Sequence, residues 1–313
     1  MHGTAAALSG RRGAGRCRRC RCLARQRPSR SCGANAVSDN PVEAIDHLLT
    51  FVHDLDAAAR FFDALGFTLT PESRIDGMGI VNRLILFPET SGGSANFIEL
   101  MSVSDPEKLP PAMARLLTGE EGIKSMVLSF ADAARAHARL NALGCGFAPP
   151  VHVRREWKVS ASESVWPEFD VLLPVDDVVT FNGCRYHNVE LYRRPAWTDH
   201  RNGARAFDRV DCAAGDPLAA ARRLADILDR PHETTTEGGR VTLGRVALQV
   251  SAEAPGTRQP GSAARFIGYR VAGASRDQVG AVLARQGAAT ATAGGALVVP
   301  GGLAFGQRIE FAA

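Results

Sequence analysis

The stretch EAIDHLLTFVHDLDAAARFFDALGF, residues 43–67, decides the fold of this chain. Its first part, IDHLLTFV, is an apolar run of the kind that forms strands. Asp54 then leads into a segment with apolar residues at helical spacing, and Gly66 ends that segment. Asp is a common residue at the start of a helix and Gly a common one just after its end. The stretch therefore predicts a strand followed directly by a helix.

The same plan recurs three more times along the chain. The later copies are IKSMVLSF with ADAARAHARLNAL (123–143), AFDRVDCAA with LAAARRLADIL (206–228), and RFIGYRVAG with RDQVGAVLARQ (265–286). Two or three strand-like runs follow each helix. Because a repeat at a fixed plan indicates one structural unit used several times, we predict four βαβββ modules in an α+β fold.

Composition divides the chain into three parts. Residues 1–38 contain nine Arg and no acidic residue, which predicts a disordered basic tail; a transit peptide or a misassigned start codon would look the same. Four of the seven Cys lie in this tail, but their spacing lacks a second metal-binding pair. The repeat pattern then predicts one domain over residues 39–205 and a second over 206–313.

The body of the chain excludes several classes of partner. Without the tail, 28 basic residues face 33 acidic ones, so nucleic acid is not an expected partner. No apolar run approaches the length of about 18 residues that a membrane-spanning helix needs. The remaining three Cys are isolated in sequence and are expected to be reduced core residues, which predicts a cytoplasmic protein.

Three acidic or imidazole side chains stand at matched places in the first two repeats. His47 lies in the first strand, Glu99 in the FIEL strand, and Glu190 in a predicted NVEL strand. Alternate residues of a strand point to opposite faces, so these side chains would converge if one face lines a concave sheet. One imidazole and two carboxylates suit Zn, Mn, Fe or Ni, which predicts a divalent metal site. The alternative for a lone His or Glu in a strand is a side chain that is simply exposed on the protein surface.

The repeat plan, the opening stretch and the FIEL strand resemble the vicinal oxygen chelate superfamily. The resemblance implies that pairs of modules form two glyoxalase-like cupped mixed sheets with helices on the outside. It also implies metal ligands His47, Glu99 and Glu190. The fourth ligand position falls on Ser125, which is a departure from the family pattern. Ser125 then becomes a substrate contact, and the metal would keep open positions or be lost.

Two further motifs resemble the glyoxalase-like branch of this superfamily. GMGIVNRLILF (77–87) supplies Asn82 and Arg83, and HRNGA (200–204) supplies His200 and Asn202. The resemblance implies that these four residues bind substrate, with Arg83 holding a carboxylate. The alternatives are a capped turn with a surface cation for the first pair and a structural linker for the second. His187, three residues before Glu190, is expected to be structural.

The second half is expected to have lost the chemistry. Counting from the helix caps places Arg209, Gln249, Gly268 and Glu310 at its four ligand positions. A guanidinium repels metal ions and glycine offers no ligand atom. We therefore expect units three and four to be a degenerate copy that serves architecture, dimer-like packing or a second binding surface.

The resemblance implies a metal-dependent lyase or isomerase of the glyoxalase type. Its substrate would be a small dicarbonyl or hydroxy-carbonyl compound, and Glu190 or Glu99 would move a proton. The alternative is a binding protein that sequesters a small molecule without turnover. An extradiol-type dioxygenase is less favoured, because one His with two carboxylates is not the usual iron set. Either a monomer or a homodimer is compatible with two tandem cups.

Overall fold

A computed structural model describes residues 40–175, 181–253, 264–288, 291–293 and 295–312. The predicted basic tail, residues 1–38, lies outside this part of the chain. The described helices are α1 (Leu55–Ala64), α2 (Pro111–Leu116), α3 (Ala133–Ala142), α4 (Pro195–Thr198), α5 (Pro217–Leu228) and α6 (Arg276–Arg285), with 3-10 turns at Pro106–Lys108 and Val189–Tyr192. No helix among the described residues is long and apolar enough to cross a membrane.

The strands fall into a first series up to residue 186 and a second series beyond residue 205. The first series is β1 (Val42–Phe51), β2 (Ser73–Ile75), β3 (Ile80–Leu86), β4 (Phe97–Val103), β5 (Gly122–Phe130), β6 (Val151–Arg154), β7 (Trp157–Lys158), β8 (Ser164–Val165), β9 (Glu168–Leu172) and β10 (Phe181–Tyr186). The second series is β11 (Ala206–Ala214), β12 (His232–Thr235), β13 (Gly238–Leu243), β14 (Val246–Ala252), β15 (Arg265–Ala272), β16 (Ala291–Ala293), β17 (Ala296–Val299) and β18 (Arg308–Phe311).

Two eight-stranded sheets follow the same plan. The first has the order β2-β3-β4-β1-β5-β10-β9-β6 and the second β12-β13-β14-β11-β15-β18-β17-β16. In each sheet the first strands of two modules pair antiparallel at the centre, as β1 does with β5. The final strand of each module lies parallel to its own first strand, as β4 lies beside β1. The predicted α+β fold of four βαβββ modules is confirmed.

The helix boundaries follow from local chemistry that the sequence shows. Asp54 accepts a hydrogen bond from the Ala57 amide and so caps α1. Asp132, Asp216 and Ser275 do the same for α3, α5 and α6. Gly66 has a φ of 90°, a conformation that favours glycine, and it turns the chain out of α1. Asp54 and Gly66 therefore begin and end α1 as predicted.

One core joins both sheets on their helix-covered faces. Phe62 of α1 and Leu140 of α3 are buried in it together with Leu228 of α5 and Leu283 of α6. The Arg139 guanidinium on α3 donates to the carbonyl of Ile227 on α5, 2.8 Å away. Because the helices and the apolar core occupy this side, the opposite, concave face of each sheet is left to form a cup.

The last strand of the second module differs from the prediction. The sequence predicted a strand over YHNVELYRR, but β10 covers Phe181–Tyr186 and the residues around Glu190 form a 3-10 turn. Asn188 explains the change: its side chain accepts from the Glu168 amide and donates to the Trp166 carbonyl. These bonds hold the chain at the start of β9 and turn it out of the sheet.

Candidate functional site

The concave face of the first sheet holds a cavity of about 300 Å³. Its wall is mostly aliphatic, aromatic and thioether, and includes three methionines. Methionine side chains adapt to irregular shapes, so this wall suits a compact apolar group rather than one fixed outline. A few polar side chains interrupt the wall: His47, Asn82, Glu99, Arg155, Asn182, Tyr186 and Tyr192. Specificity in such a cavity comes from these few groups.

His47 is held in one orientation by a buried carboxylate that the sequence analysis did not identify. Its Nδ1 lies 2.6 Å from Oδ2 of Asp46, and its ring stacks on Phe97 with 4.1 Å between centroids. Since Asp46 can only accept, Nδ1 donates and Nε2 presents its lone pair to the cup. An irregularity in the β1–β5 register between Ile45 and His47 accompanies this placement of two neighbouring residues.

Asp46 is itself fully buried and saturated with donors. Oδ1 accepts from the Ala95 amide at 2.7 Å, and Oδ2 accepts from the Tyr186 hydroxyl at 2.8 Å as well as from His47. Burial, followed by the charge of Asp46, raises the pKa of Tyr186 well above its ordinary value. The hydroxyl therefore remains protonated and donates. The three donors fix the carboxylate, and the carboxylate fixes His47.

Glu99 faces His47 from the neighbouring strand. Its Oε2 lies 3.6 Å from His47 Nε2, and its Oε1 accepts from the Asn82 side-chain amide at 2.6 Å. The parallel register of β4 and β1 places Glu99 beside Leu49, two residues beyond His47. The structure therefore brings together three of the predicted site residues, with Asn82 acting on Glu99 from inside the cup.

The second module contributes Ser125 and Asn182 to the cup. β10 runs parallel to β5 and places Asn182 beside Val127, two residues beyond Ser125, just as Glu99 lies relative to His47. The Ser125 hydroxyl donates to the Asn182 side-chain carbonyl. Asn182 is thus the counterpart of Glu99, a residue that the sequence analysis missed. The run FNGCRY is the strand that pairs with the strand of Ser125. Taking this run as the last strand of the module would have identified Asn182.

Glu190 does not reach the cup. It lies in the 3-10 turn Val189–Tyr192, is exposed, and is absent from the wall of the cavity. The prediction that a strand directs Glu190 toward His47 is therefore wrong, because the strand ends at Tyr186. The same turn instead buries Tyr192, whose ring stacks against Phe97 behind the His47 imidazole.

Arg83, His200 and Asn202 also lie away from the cavity wall. Arg83 alternates with Asn82 on β3, so its guanidinium points to the helix side, where Nη1 donates to the Thr70 carbonyl. His200 is 5% exposed and accepts at Nδ1 from the Thr68 amide. Asn202 donates to the Leu65 carbonyl at the end of α1. The contacts of His200 and Asn202 are those of a structural linker, the alternative given for HRNGA. Arg83 does not face a substrate in the cup.

Arg155 is a polar residue of the cup wall that the sequence analysis did not single out. Among the described wall residues it is the one Lys or Arg side chain. Its Nη1 donates to the Ser73 hydroxyl at 2.6 Å, which orients the guanidinium from one side. Arg155 follows the edge strand β6, a strand too short to stand out by its periodicity.

The second cup is built differently. It encloses about 860 Å³, and the sheet registers place Arg209, Gln249, Gly268 and Glu310 at the four positions that the sequence predicted. Arg209 donates to Asp211 at 2.7 Å and to Glu310 at 2.8 Å, and Arg308 bonds the same two carboxylates. An ion-pair network thus stands where the first cup has His47 and Asn182, since Arg209 and Glu310 occupy those two positions.

This network fixes the charge state of Glu310. Burial raises the pKa of its carboxyl, but hydrogen bonds from Arg209 and Arg308 outweigh that effect and lower it. Two guanidinium groups and two carboxylates therefore satisfy one another at the floor of the second cup. A divalent cation would have to displace both arginines, so the donor set of this cup does not fit a metal.

The donor set of the first cup fits a divalent metal ion held mainly by His47 and Glu99. Two ligands on one tetrahedral ion with bonds of about 2.1 Å lie about 3.4 Å apart, close to the observed 3.6 Å between Nε2 and Oε2. Both ligands have fixed outer partners, Asp46 and Asn82, as metal ligands generally do. Asn182 and Ser125 add only neutral oxygens. This oxygen-rich set suits a harder ion such as Mn²⁺.

Comparison with known proteins identifies the fold and a family. The family model described as "Glyoxalase-like domain" matches residues 45–228. A hypothetical protein from Staphylococcus aureus is similar in structure, with 14% identity, a TM-score of 0.60, and coverage of 86% of this chain and 98% of that one. No curated protein matches the chain.

Two enzymes of known name share the architecture. The Mn(II)-bound glyoxalase from Novosphingobium aromaticivorans has 12% identity and a TM-score of 0.52, covering 87% of this chain and 82% of its own. A triple mutant of 4-hydroxymandelate synthase from Streptomyces coelicolor has 13% identity and a TM-score of 0.50, covering 87% and 92%. At such low identity these likenesses show the fold alone.

Proposed function

This chain belongs to the glyoxalase-like domain family, and from that membership we propose that its first cup is a metal-dependent active site for isomerase or lyase chemistry. The substrate is a small, largely apolar molecule with neighbouring oxygens, of the dicarbonyl or hydroxy-carbonyl class. The metal is a divalent ion held by His47 and Glu99. The structurally similar glyoxalase is Mn(II)-bound, which supports the choice of a divalent ion.

One observation carries this proposal. His47 Nε2 and Glu99 Oε2 face each other in an apolar cavity, and each side chain is locked from behind, by Asp46 and by Asn82 respectively. A surface pair would lack such partners. Sites that bind metal or move protons need ligands already oriented before the substrate arrives.

The chain's own residues account for binding and proton transfer. A bound dication would polarise the substrate oxygens and acidify the adjacent C–H. The apolar wall receives the hydrocarbon part of the substrate and excludes water. Glu99 would release the ion and take the proton at Oε2 as the C–H bond breaks, while Asn82 holds Oε1. Return of that proton to a neighbouring atom completes an isomerisation without any other reactant.

Metal content tests the proposed ligands. Purified without a metal-affinity step, the wild-type protein is expected to contain about one more divalent ion per chain than Glu99→Ala. Glu190→Ala is the matched control, because it removes an exposed glutamate outside the cup. Elemental analysis after incubation with Mn²⁺ is the measurement. Full metal content in Glu99→Ala, or loss in Glu190→Ala, would contradict the assignment.

Arg155 is proposed to hold an anionic group of the substrate. It is the one cation among the described wall residues, and a guanidinium pairs well with a carboxylate. We expect Arg155→Met to weaken binding of carboxylate-bearing ligands by about tenfold and to leave uncharged analogues unaffected, since an exposed charge pair contributes on the order of 1 kcal/mol. Calorimetric titration of both ligand sets measures this. Equal weakening of both sets would point to a change in cup shape instead.

Binding without turnover is the second function that the cup supports. The Ser125 hydroxyl donates to Asn182, so half of the ligand positions satisfy each other without a metal. The metal analysis separates the two proposals: an empty cup that still binds small apolar molecules would favour sequestration. Extradiol-type dioxygenase chemistry is less supported, because the described cup presents one histidine and one carboxylate.

We also propose a reducing compartment such as the cytoplasm. Cys184 and Cys212 are buried, and burial raises the pKa of each thiol above its ordinary value. Buried, protonated thiols of this kind behave as small core residues. The protein is isolated from its own cells, denatured, and analysed by mass spectrometry. Recovery of unmodified thiols would support the proposal, whereas quantitative oxidation of the thiols in freshly lysed cells would contradict it.

A further inference from the structure

A second cluster of metal-ligating atoms lies on the other face of the first sheet. His152 on β6, Asp170 on β9 and His187, just beyond β10, each offer one ligand atom, all within 4.8 Å of one another. His152 Nδ1 lies 2.9 Å from Asp170 Oδ1, and His187 Nε2 lies 3.0 Å from Asp170 Oδ2. Glu168 Oε1 is 3.5 Å from His152 Nε2 and stands at the edge of the cluster.

Strand alternation separates this cluster from the cup. Val151 and Val153 flank His152 and line the cavity, as do Phe169 and Val171 on either side of Asp170. The cluster therefore faces outward on the same three strands whose inward residues form the cup wall. His152 pairs directly with Asp170 in the β6–β9 register, so the position of this pair is set by the sheet.

We propose that His152, Asp170 and His187 form a site for a first-row transition-metal dication such as Zn²⁺. Two imidazoles and one carboxylate are a preferred ligand set for such ions. Ligands on a tetrahedral zinc lie about 3.3 Å apart, and the two His–Asp separations, each to a different oxygen of Asp170, differ from that by only a few tenths of an ångström. Water supplies the fourth ligand, because Glu168 lies beside Nε2 of His152 rather than beside the ligating Nδ1. The site is independent of the proposed function of the cup.

Arg185 competes with the metal for this place. Its Nη1 donates to His187 Nδ1 at 2.8 Å and lies 3.8 Å from Asp170 Oδ2. When Nδ1 accepts that bond, the proton of the neutral ring is on Nε2, which donates to Asp170. A metal at Nε2 requires the other tautomer, with the proton on Nδ1, so the guanidinium must move away. The charge of Arg185 also repels a dication.

A bound metal would link the strands that form one wall of the cup. β6 is the last strand of the sheet and contacts only β9 within it, and His187 marks the point where the chain leaves β10. An ion shared by His152, Asp170 and His187 would tie these three segments together. His187 also follows Tyr186 directly, and Tyr186 donates to Asp46 behind His47. A metal ion bound at this site would therefore stabilise the edge of the sheet.

Zinc titration of the full chain tests the proposal. The experiment uses chelator-treated protein carrying Glu99→Ala, which silences the cup, and follows Zn²⁺ binding by calorimetry. We expect one equivalent to bind with micromolar or tighter affinity. His152→Ala and His187→Ala are each expected to weaken binding by about tenfold or more, since even outer-shell partners typically contribute that much. Arg185→Gln is expected to tighten it.

A matched variant and a spectroscopic readout make the result decisive. His232→Ala removes an exposed histidine from an edge strand of the other sheet and should leave zinc affinity unchanged. Substitution with Co²⁺ should give the visible absorption of a low-coordinate nitrogen and oxygen site, absent in His152→Ala. Millimolar affinity, retention of binding in both histidine variants, or an equal loss in His232→Ala would overturn the proposal. Circular dichroism confirms that each variant is folded.

Discussion

Replacing Asp46 by alanine is expected to destabilise the protein by about 3–5 kcal/mol, because three donors lose their acceptor at once. The Ala95 amide, the Tyr186 hydroxyl and His47 Nδ1 all donate to this carboxylate, which has no exposed surface. Each buried donor without a partner costs about 1–3 kcal/mol, and water entering the vacated space recovers part of that. Urea unfolding measures the loss. An unfolding midpoint equal to that of the wild type would show that the three bonds contribute little.

The same substitution is expected to weaken metal binding at the cup by about 10- to 100-fold, the usual effect of removing an outer partner of a ligating histidine. Asp46→Asn is the companion variant in case Asp46→Ala does not fold. It keeps the side-chain volume and one acceptor oxygen. Its metal affinity and its stability should lie between those of the wild type and those of Asp46→Ala. Tyr186→Phe removes one donor only and should retain His47 in place. If Asp46→Asn binds metal as the wild type does, the carboxylate does not position His47.

Protein stability is expected to decrease as the pH is lowered from about 6.5 to about 4, by about 3 kcal/mol, because of His200. Burial lowers the pKa of its imidazole to about 4. The ring packs against Phe67 and Phe87 at centroid distances of 5.6 and 5.5 Å, and its Nδ1 accepts from Thr68. In the unfolded chain the pKa is near 6.5, so that state binds a proton that the folded state excludes. The contribution is complete above the unfolded pKa and is lost toward the folded one.

Urea unfolding at several pH values between 4 and 7 measures this slope for the wild type and His200→Gln. Glutamine can still accept from the Thr68 amide but does not titrate, so the variant should lose most of the decrease above pH 5. His53→Gln is the control, since His53 is exposed and should leave the slope unchanged. Carboxylates with lowered pKa values, Glu310 among them, add their own decrease at lower pH in all three proteins. Equal slopes in wild type and His200→Gln would contradict the prediction.

The repeat plan and most ligand positions could be predicted from sequence, because strong local signals mark them. Asp54, Asp216 and Gly66 mark helix ends through cap chemistry that acts within a few residues. Counting from these caps gave positions whose register the sheets confirm, including Arg209 opposite Arg270 and Gly268 opposite Asp211. The residues that cap a helix thus indicate which residue of the preceding strand occupies the ligand position.

The final strand of the second module could not be fixed in the same way. FNGCRY and YHNVELYRR both have strand-like features, and YHNVELYRR carries the more prominent Glu190. The choice between them depends on pairing with β5 and on the side chain of Asn188, which are contacts between residues far apart in sequence. Asp46 was missed for a related reason. A carboxylate beside a strand histidine points to the opposite face in regular geometry, and the irregular register near Ile45 changes that.

The central pairing of β1 with β5 has a consequence for biosynthesis. β1 is among the first described residues to leave the ribosome, yet its antiparallel partner ends at residue 130 and the parallel strand beyond that ends at residue 186. Bacterial and eukaryotic ribosomes add about 5–20 residues per second, so an apolar strand waits several seconds for its neighbours. Contacts between strands so distant in sequence also form slowly. The nascent chain is therefore expected to present β1 to chaperones during that interval, and the first cup closes only after residue 186 has emerged.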